Sequence, residues 1–169
     1  HDSSESVSFL SCKYIRPQNQ GIVKRVSGQT TEQTIKILKE IWKDNPIPDV
    51  IKADNDSAFG TNLSHDKCIG KLALFFLNLG ITPLYIAPRS PWNNGENEGF
   101  NSVFSKKFWN KLQFTDEDEI DIKIKDFNIA YEKYSNLIFD NPKNDSPKYI
   151  NEFKDINLEN KHVKKFKTR

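Results

Sequence analysis

Two stretches of the sequence decide the fold: VIKADNDSAF at residues 50–59 and LGITPLYIAPRSPWNNGENEGFN at residues 79–101. In the first, a short run of strand-forming residues leads into Asp54, and a polar turn follows. In the second, a strand-like run ends in a Pro- and Asn-rich loop, which leads into a helix with Glu98 near its first turn. Each stretch therefore supplies a carboxylate beside a rigid element.

Alternating strands and helices extend outward from these two stretches. The pattern predicts strands over residues 7–15, 22–26, 50–53 and 82–87, and helices over about 30–44, 66–79, 93–112 and 119–134. An opening hairpin followed by this alternation indicates the α/β class, with helices flanking a sheet of mixed strand directions. The strand at 50–53 is expected to be buried, and helical periodicity is expected to bury Leu77 and Val103. In such sheets, active sites lie at the carboxyl ends of the strands.

Composition indicates a globular protein. The 169 residues suit one domain, which we place at residues 1–135, followed by a C-terminal extension with a basic tail at residues 136–169. The net charge of +2 is a weak indication of a nucleic-acid partner, and the acidic run at residues 116–121 is interpreted as solvated surface. No apolar run approaches the length of a membrane span, so no membrane partner is expected. Cys12 and Cys68 lack the spacing of a zinc site and are expected to be reduced thiols of a cytoplasmic protein.

The two carboxylates suit a hard cation, although each also has a structural interpretation. A carboxylate at a strand end is held on rigid backbone and faces the cleft, which is what Mg²⁺ requires. Alternatively, Asp54 turns or caps its loop, and Glu98 is one of the acids that the macrodipole favours at a helix start. Glu96 and Glu98 are two residues apart, about 200° around a helix, so both cannot face one cleft.

Together, the two stretches resemble the integrase catalytic core of retroviruses, retrotransposons and many bacterial insertion sequences. That family has a strand ending in Asp-Asn with an aromatic residue nearby, and later Ser-Pro-x-x-Asn-Gly-x-x-Glu-x-x-Asn. Six residues fall on the second pattern in register: Ser90, Pro91, Asn94, Gly95, Glu98 and Asn101. The resemblance extends from about Val7 to Tyr134, and its register selects Glu98 rather than Glu96 as the catalytic acid. It implies an RNase H-like fold and a DDE-type transposase or integrase of a mobile element.

The resemblance also implies polynucleotidyl transfer at a two-metal site, in which Asp54 and Glu98 bind Mg²⁺ or Mn²⁺. The enzyme is expected to cleave the DNA end of the element and then to transfer the strand into target DNA. DNA is the expected partner, and self-association as a homodimer or higher oligomer is expected as well. Five residues are assigned to nucleic-acid binding: Arg89, Trp92, Asn94, Asn101 and Lys106. The alternatives are that Trp92 packs its loop down and that Lys106 belongs to a solvated helix surface.

Departures from the family pattern keep other functions open. Asp56 replaces the usual Gly after Asp-Asn, and 43 residues separate Asp54 from Glu98, more than the common spacing. The first catalytic acid belongs on a strand before the hairpin, which is expected to lie before His1, and Asp2 is the only nearby candidate. One alternative is therefore a catalytically inactive or domesticated core that binds DNA or a protein partner. Another is an RNase H-like nuclease that only hydrolyses.

Overall fold

The computed structural model describes residues 7–15, 19–53, 70–86 and 94–138. Within these ranges the chain has the α/β architecture that the sequence predicts, in the expected order β-β-α-β-α-β-α-α. The strands are β1 (Ser8–Lys13), β2 (Gly21–Val26), β3 (Val50–Ala53) and β4 (Thr82–Tyr85). The helices are α1 (Thr31–Asp44), α2 (Lys71–Asn78), α3 (Gly95–Phe104) with a following π-helical turn at Ser105–Trp109, and α4 (Glu117–Ile138). The described residues divide into two compact units, 7–27 with 94–138 and 28–53 with 70–86.

The first unit is built on the β1–β2 hairpin. The two strands pair antiparallel, from Ser8 opposite Val26 to Lys13 opposite Gly21, as their β-branched and aromatic residues favour. α3 packs against β1 and α4 packs against β2. Between them lies a cluster of buried apolar side chains, namely Val23, Phe100, Phe104, Phe108, Ile120 and Ile124.

A side chain of α4 takes the place of a neighbouring strand along β2. Val23 lies in the middle of β2 and is fully buried, so its backbone N–H and C=O need partners. Val23 N donates to Asn128 Oδ1 at 3.0 Å, and Asn128 Nδ2 donates to Val23 O at 2.9 Å. One amide of α4 therefore satisfies the strand and fixes the helix against it.

The acidic run before and within the first turns of α4 lies largely at the surface, as interpreted from the sequence, and several of its side chains are also paired. Asp116 caps the helix by accepting a hydrogen bond from Glu119 N at 2.8 Å. Arg25 of β2 donates from Nε and Nη2 to Asp121 at 3.0 and 2.8 Å, and from Nη1 to Glu117 at 2.5 Å. The hydrogen bonds from Arg25 hold the pKa of the Asp121 carboxyl below its usual range. Because of the cap, α4 begins two residues earlier than predicted.

The second unit combines a parallel strand pair with two helices. α1 begins after Thr30, one of the two adjacent threonines, Thr30 and Thr31, that the sequence offers as an N-cap. The Thr30 hydroxyl oxygen accepts a hydrogen bond from Gln33 N in the first turn at 3.2 Å. Its buried Trp42 stacks on Phe75 of α2, with 6.0 Å between the ring centroids. β3 and β4 pair in parallel along their whole length, ending with Ala53 opposite Tyr85.

Three predictions of burial were wrong. β3 was expected to be a buried strand, yet Val50 is 50% exposed and only Ala53 of this strand is buried. Leu77 and Val103 are 50% and 38% exposed. In both helices phenylalanine side chains occupy the core-facing positions, and Leu77 and Val103 lie outside those faces.

The helix boundaries also differ from those predicted. α2 begins at Lys71, and a helix running continuously from residue 66 is excluded because Gly70 is extended, with φ −63° and ψ 155°. α3 gives way at Ser105 to the π-helical turn, in which Asn110 N donates to Ser105 O at 2.9 Å. α4 runs to Ile138, past its predicted end.

Adjacent residues of α3 are expected to differ sharply in their contribution to stability. Phe104 is 8% exposed and stacks on Phe108 at 5.0 Å between ring centroids. Phe104→Ala is expected to lower the free energy of unfolding by about 3–5 kcal/mol, because it leaves a cavity in the cluster. Val103→Ala is the matched control and is expected to change it by less than about 0.5 kcal/mol. Urea unfolding followed by circular dichroism measures both, and equal losses would contradict the observed burial.

Glu119 is expected to make stability depend on pH. Hydrogen bonds from Lys123 and from Thr115 lower its pKa from 4.5 to about 2. A carboxylate whose pKa falls on folding stabilises the folded state above its unfolded pKa, and that contribution is lost as the pH falls through the folded pKa. Glu119→Gln is therefore expected to flatten the decrease in melting temperature between about pH 4.5 and pH 2. Glu132→Gln, which removes an exposed glutamate of the same helix, serves as the control, and identical pH profiles for the two variants would refute this role of Glu119.

Candidate functional site

The carboxyl ends of β3 and β4 meet at one edge of the second unit. Ile86 N donates to Ala53 O at 3.0 Å, so the two strands end side by side. Asp54 follows Ala53 in the sequence, and the Pro- and Asn-rich segment follows Ile86. Active sites of α/β proteins lie at this kind of edge. Both described strands therefore end at the kind of edge where a carboxylate that follows a strand can take part in a site.

A glycine cap at the end of α2 leads the chain into β4. Gly80 has a φ of 74°, in the left-handed region that favours glycine. Gly80 N donates to Leu77 O at 3.1 Å, and Ile81 N donates to Phe76 O at 2.9 Å. These two bonds form a Schellman motif with Gly80 just after the helix, which is where glycine is expected when a helix is predicted to end at residue 79.

The first turns of α3 present two acids in different surroundings. Glu98 is exposed and makes no hydrogen bond or ion pair with any residue that the structure describes. Glu96 is also exposed, but its charge acts on two neighbours. Burial lowers the pKa of the Lys13 ammonium, and Glu96 opposes that shift. Burial, together with the charge of Glu96, raises the pKa of the Tyr131 hydroxyl. Both carboxylates are therefore exposed to solvent, and the register of the sequence motif, not the surroundings, distinguishes Glu98.

The backbone that carries Glu98 is anchored two residues further along α3. Phe100 is 1% exposed and packs edge-on against Tyr131, with 4.7 Å between the ring centroids. Phe100 also lies directly against Gly21, where an added Cβ atom would overlap the ring. Glycine in β2 therefore allows the close approach of helix and strand, and α3 has little freedom to shift.

Three of the residues assigned to nucleic-acid binding are described. Asn94 is half-buried, whereas Asn101 and Lys106 are exposed. Asn101 lies one turn from Glu98 on the same face of α3. Lys106 lies in the π-helical turn that follows α3.

The remaining predicted site residues lie outside the described residues, namely Asp2, Asp54, Arg89 and Trp92. Among the residues that are described, no group of three or more His, Cys, Asp and Glu side chains is placed to hold a metal ion. Cys12 is half-buried and forms no disulfide with a described residue. Burial raises the pKa of its thiol to about 12, which disfavours the thiolate form.

The sequence did not predict a polar cluster that surrounds Lys13 at the end of β1. Lys13 Nζ donates to Asn19 O at 2.6 Å and lies 5.0 Å from the centroid of the Tyr131 ring. Ser135 Oγ donates to the same carbonyl oxygen. Asn19 and Ser135 are 116 positions apart, so no local pattern indicates their contact. In α3, the buried Oδ1 atom of Asn97 has no hydrogen-bond partner among the described residues.

Comparisons with known proteins do not assign this chain to a protein family. No protein-family model matches the chain, and no curated protein matches it. None of the described helices combines the length and the apolar character that crossing a membrane requires.

The contact between Gly21 and Phe100 can be tested by adding one methyl group. Gly21→Ala is expected to lower the free energy of unfolding by about 1–3 kcal/mol, because its Cβ overlaps the Phe100 ring. Gly28→Ala is the matched control, since nothing lies within 4 Å of a Cβ atom at that position, and it is expected to be neutral or stabilising by up to about 1 kcal/mol. Urea denaturation measures both, and equal effects would contradict the packing described for α3.

Proposed function

We propose that this chain is the RNase H-like catalytic core of a DDE-type transposase or integrase. The observation that carries the proposal is the edge at which β3 and β4 end together, joined by the hydrogen bond from Ile86 to Ala53, directly before Asp54. Such edges hold the active sites of α/β proteins. The Ser-Pro-x-x-Asn-Gly-x-x-Glu-x-x-Asn register, with an exposed Glu98 near the start of α3, supports the same function.

The proposed metal ligands are Asp54 and Glu98, with Asp2 as the candidate for the third acid. Glu98 fits this role, because its carboxylate offers hard oxygen donors, is exposed and has no ion pair with a described Lys or Arg. When bound, two Mg²⁺ or Mn²⁺ ions supply activation of a water or a 3′-OH and stabilisation of the leaving oxygen. The chain's own contribution is to hold the carboxylates in place, and the buried Phe100 does so for the backbone beneath Glu98.

The proposed substrates are the DNA ends of a mobile element and a target DNA. Water cleaves a phosphodiester at the element end, and the freed 3′-OH then attacks a target phosphodiester. The exposed Asn101 and Lys106 are proposed to contact phosphates. Arg89 and Trp92 are proposed to bind a phosphate and to stack on an unpaired base, and Asn94 to contact DNA near the start of α3. The protein is proposed to act in the cytoplasm and to self-associate on DNA.

An inactive or domesticated core that binds DNA or a protein partner is the second candidate. It is favoured by Asp56, which stands where the family has glycine. A nuclease that hydrolyses DNA without joining it is a third. The Asn-Gly-x-x-Glu register around Glu98 argues against this third candidate.

Substitution of either proposed ligand is expected to abolish the chemistry while the fold remains intact. Asp54→Asn and Glu98→Gln are each expected to lower metal-dependent nicking of supercoiled plasmid DNA by at least about 100-fold, since loss of an outer-shell partner alone costs about 10–100-fold. Glu96→Gln removes an equally exposed carboxylate of the same helix and is expected to keep activity within about threefold of wild type. Circular dichroism verifies that all three variants fold.

Joining assays separate the proposed functions. An oligonucleotide with a free 3′-OH is expected to be joined to plasmid DNA in Mg²⁺ or Mn²⁺ by the wild-type chain. Full activity of Asp54→Asn or Glu98→Gln would remove these residues from the site. Nicking without joining would indicate the nuclease, and DNA binding without either reaction would indicate the inactive core.

A further inference from the structure

α4 has an exposed face on the side opposite the core. Its inward side packs on the hairpin and α3 through residues spaced three or four apart: Ile120, Ile124, Phe127, Asn128, Tyr131 and Ser135. Two isoleucines lie on the opposite side of the helix, and Ile122 and Ile129 are 59% and 52% exposed. They are seven positions apart, which places them on one line along an α-helix. Exposed isoleucines aligned in this way are typical of a helix that packs against another helix.

Charged side chains flank the two isoleucines on this outer face. The four are all exposed: Asp118, Lys125, Asp126 and Lys133. With about 100° of rotation per residue, all six side chains fall within an arc of about 100°. The face therefore carries an apolar line and two charges of each sign, arranged symmetrically about a point between Lys125 and Asp126.

This arrangement is complementary to itself when a second helix runs in the opposite direction. A two-fold axis that passes between Lys125 and Asp126 brings unlike groups together across the interface. Three kinds of pair form, each of them twice: Ile122 with Ile129, Lys125 with Asp126, and Asp118 with Lys133. A two-fold interface requires such a self-complementary patch. We propose that the outer face of α4 binds the same face of a second copy of this chain, with the two helices antiparallel.

The charge pattern disfavours other occupants of this face. In a parallel pair in register, Lys125 lies opposite Lys125 and Asp126 opposite Asp126, and like charges repel. DNA is disfavoured as well, because the two aspartates cancel the two lysines and leave no positive patch for phosphates. A second copy is the partner for which both the apolar line and the charges are matched.

The small area of the interface sets the expected strength of the association. One helix face is small compared with the interfaces of stable dimers, so we expect a dimer that forms and dissociates with protein concentration. The ion pairs are exposed at the rim and are screened by salt, so raising the salt concentration is expected to weaken the dimer. The proposal depends on α4 alone and not on the proposed catalytic function, so it can be tested without DNA or metal.

Sedimentation velocity over a range of protein concentrations tests the surface. The wild-type chain is expected to shift from monomer to dimer as its concentration rises. Ile129→Glu is expected to weaken the dimer by at least about tenfold, since it places one carboxylate per copy, two in the dimer, on the apolar line opposite Ile122. Tyr134→Glu is the matched control: Tyr134 is also 59% exposed on α4 but lies about 120° around the helix from Ile122, so this variant is expected to dimerise like wild type. A wild-type chain that stays monomeric, or a dimer that survives Ile129→Glu, would overturn the proposal.

Charge exchange tests the pairing. Lys125→Glu is expected to weaken the dimer because the new carboxylate faces Asp126 of the second copy. Adding Asp126→Lys to that variant restores an opposite pair across the axis and is expected to recover most of the wild-type affinity. A double variant no better than Lys125→Glu would contradict the antiparallel arrangement.

Cross-linking tests the register directly. A chain carrying Ile122→Cys is mixed with a chain carrying Ile129→Cys and oxidised, with the wild-type chain as the background for its native cysteines. The mixture is expected to give a disulfide-linked dimer above that background, whereas each variant alone is not. A cross-link from either variant alone that equals the mixture would show a parallel or unspecific contact and overturn the proposal.

Discussion

The Asn128 side chain provides the constraint on which the rest of the first unit depends. Val23 is fully buried in the middle of a strand, and without Asn128 its N–H and C=O would lose the partners that α4 supplies. Each unsatisfied buried group costs about 1–3 kcal/mol, which is large compared with the stability of a small domain. Both hydrogen bonds form only when α4 lies along β2 at one height and one rotation. The amide therefore decides which side of α4 faces the core, and burial of Ile120 and Ile124 follows from that choice.

Further contacts at the two ends of α4 enforce the same placement. Near the start of the helix, Arg25 holds Asp121 with two hydrogen bonds from its guanidinium, so the helix cannot rotate without breaking a forked contact. Near the end, Ser135 is 2% exposed and donates to the carbonyl of Asn19 beside the hairpin. Exposed ion pairs are individually weak, so the Arg25 contact acts mainly by defining geometry, while burial of the aromatic cluster supplies most of the stabilisation.

Local patterns in the sequence predicted the order of the elements but not the long-range contacts. Thr30 and Gly80 were found because capping depends on a few adjacent residues. Leu77 was placed wrongly because apolar residues surround most of α2, so periodicity alone does not show which of them face the core. Val103 was placed wrongly because it is next to Phe104, and the phenylalanine is the residue that is buried. The π-helical turn and the pairing of the acidic run depend on contacts with residues far away in the sequence, such as Arg25. At the candidate site, the strand end before Asp54 was predictable from composition and turn residues, whereas the anchoring of Glu98 through Phe100 and Gly21 was not.

The anchoring of α3 and the outer face of α4 are linked through one helix. Tyr131 packs on Phe100 from the inward side of α4, and Ile129 lies two residues earlier on the outward side. Because a helix turns by about 100° per residue, these neighbours must face in nearly opposite directions. Whatever binds the outer face therefore acts on the same rigid element that supports the backbone of Glu98. A partner that binds the folded helix and not the unfolded chain stabilises the folded helix. The proposed self-association through α4 would therefore reinforce the support beneath the acid-bearing helix without any contact to the acid itself.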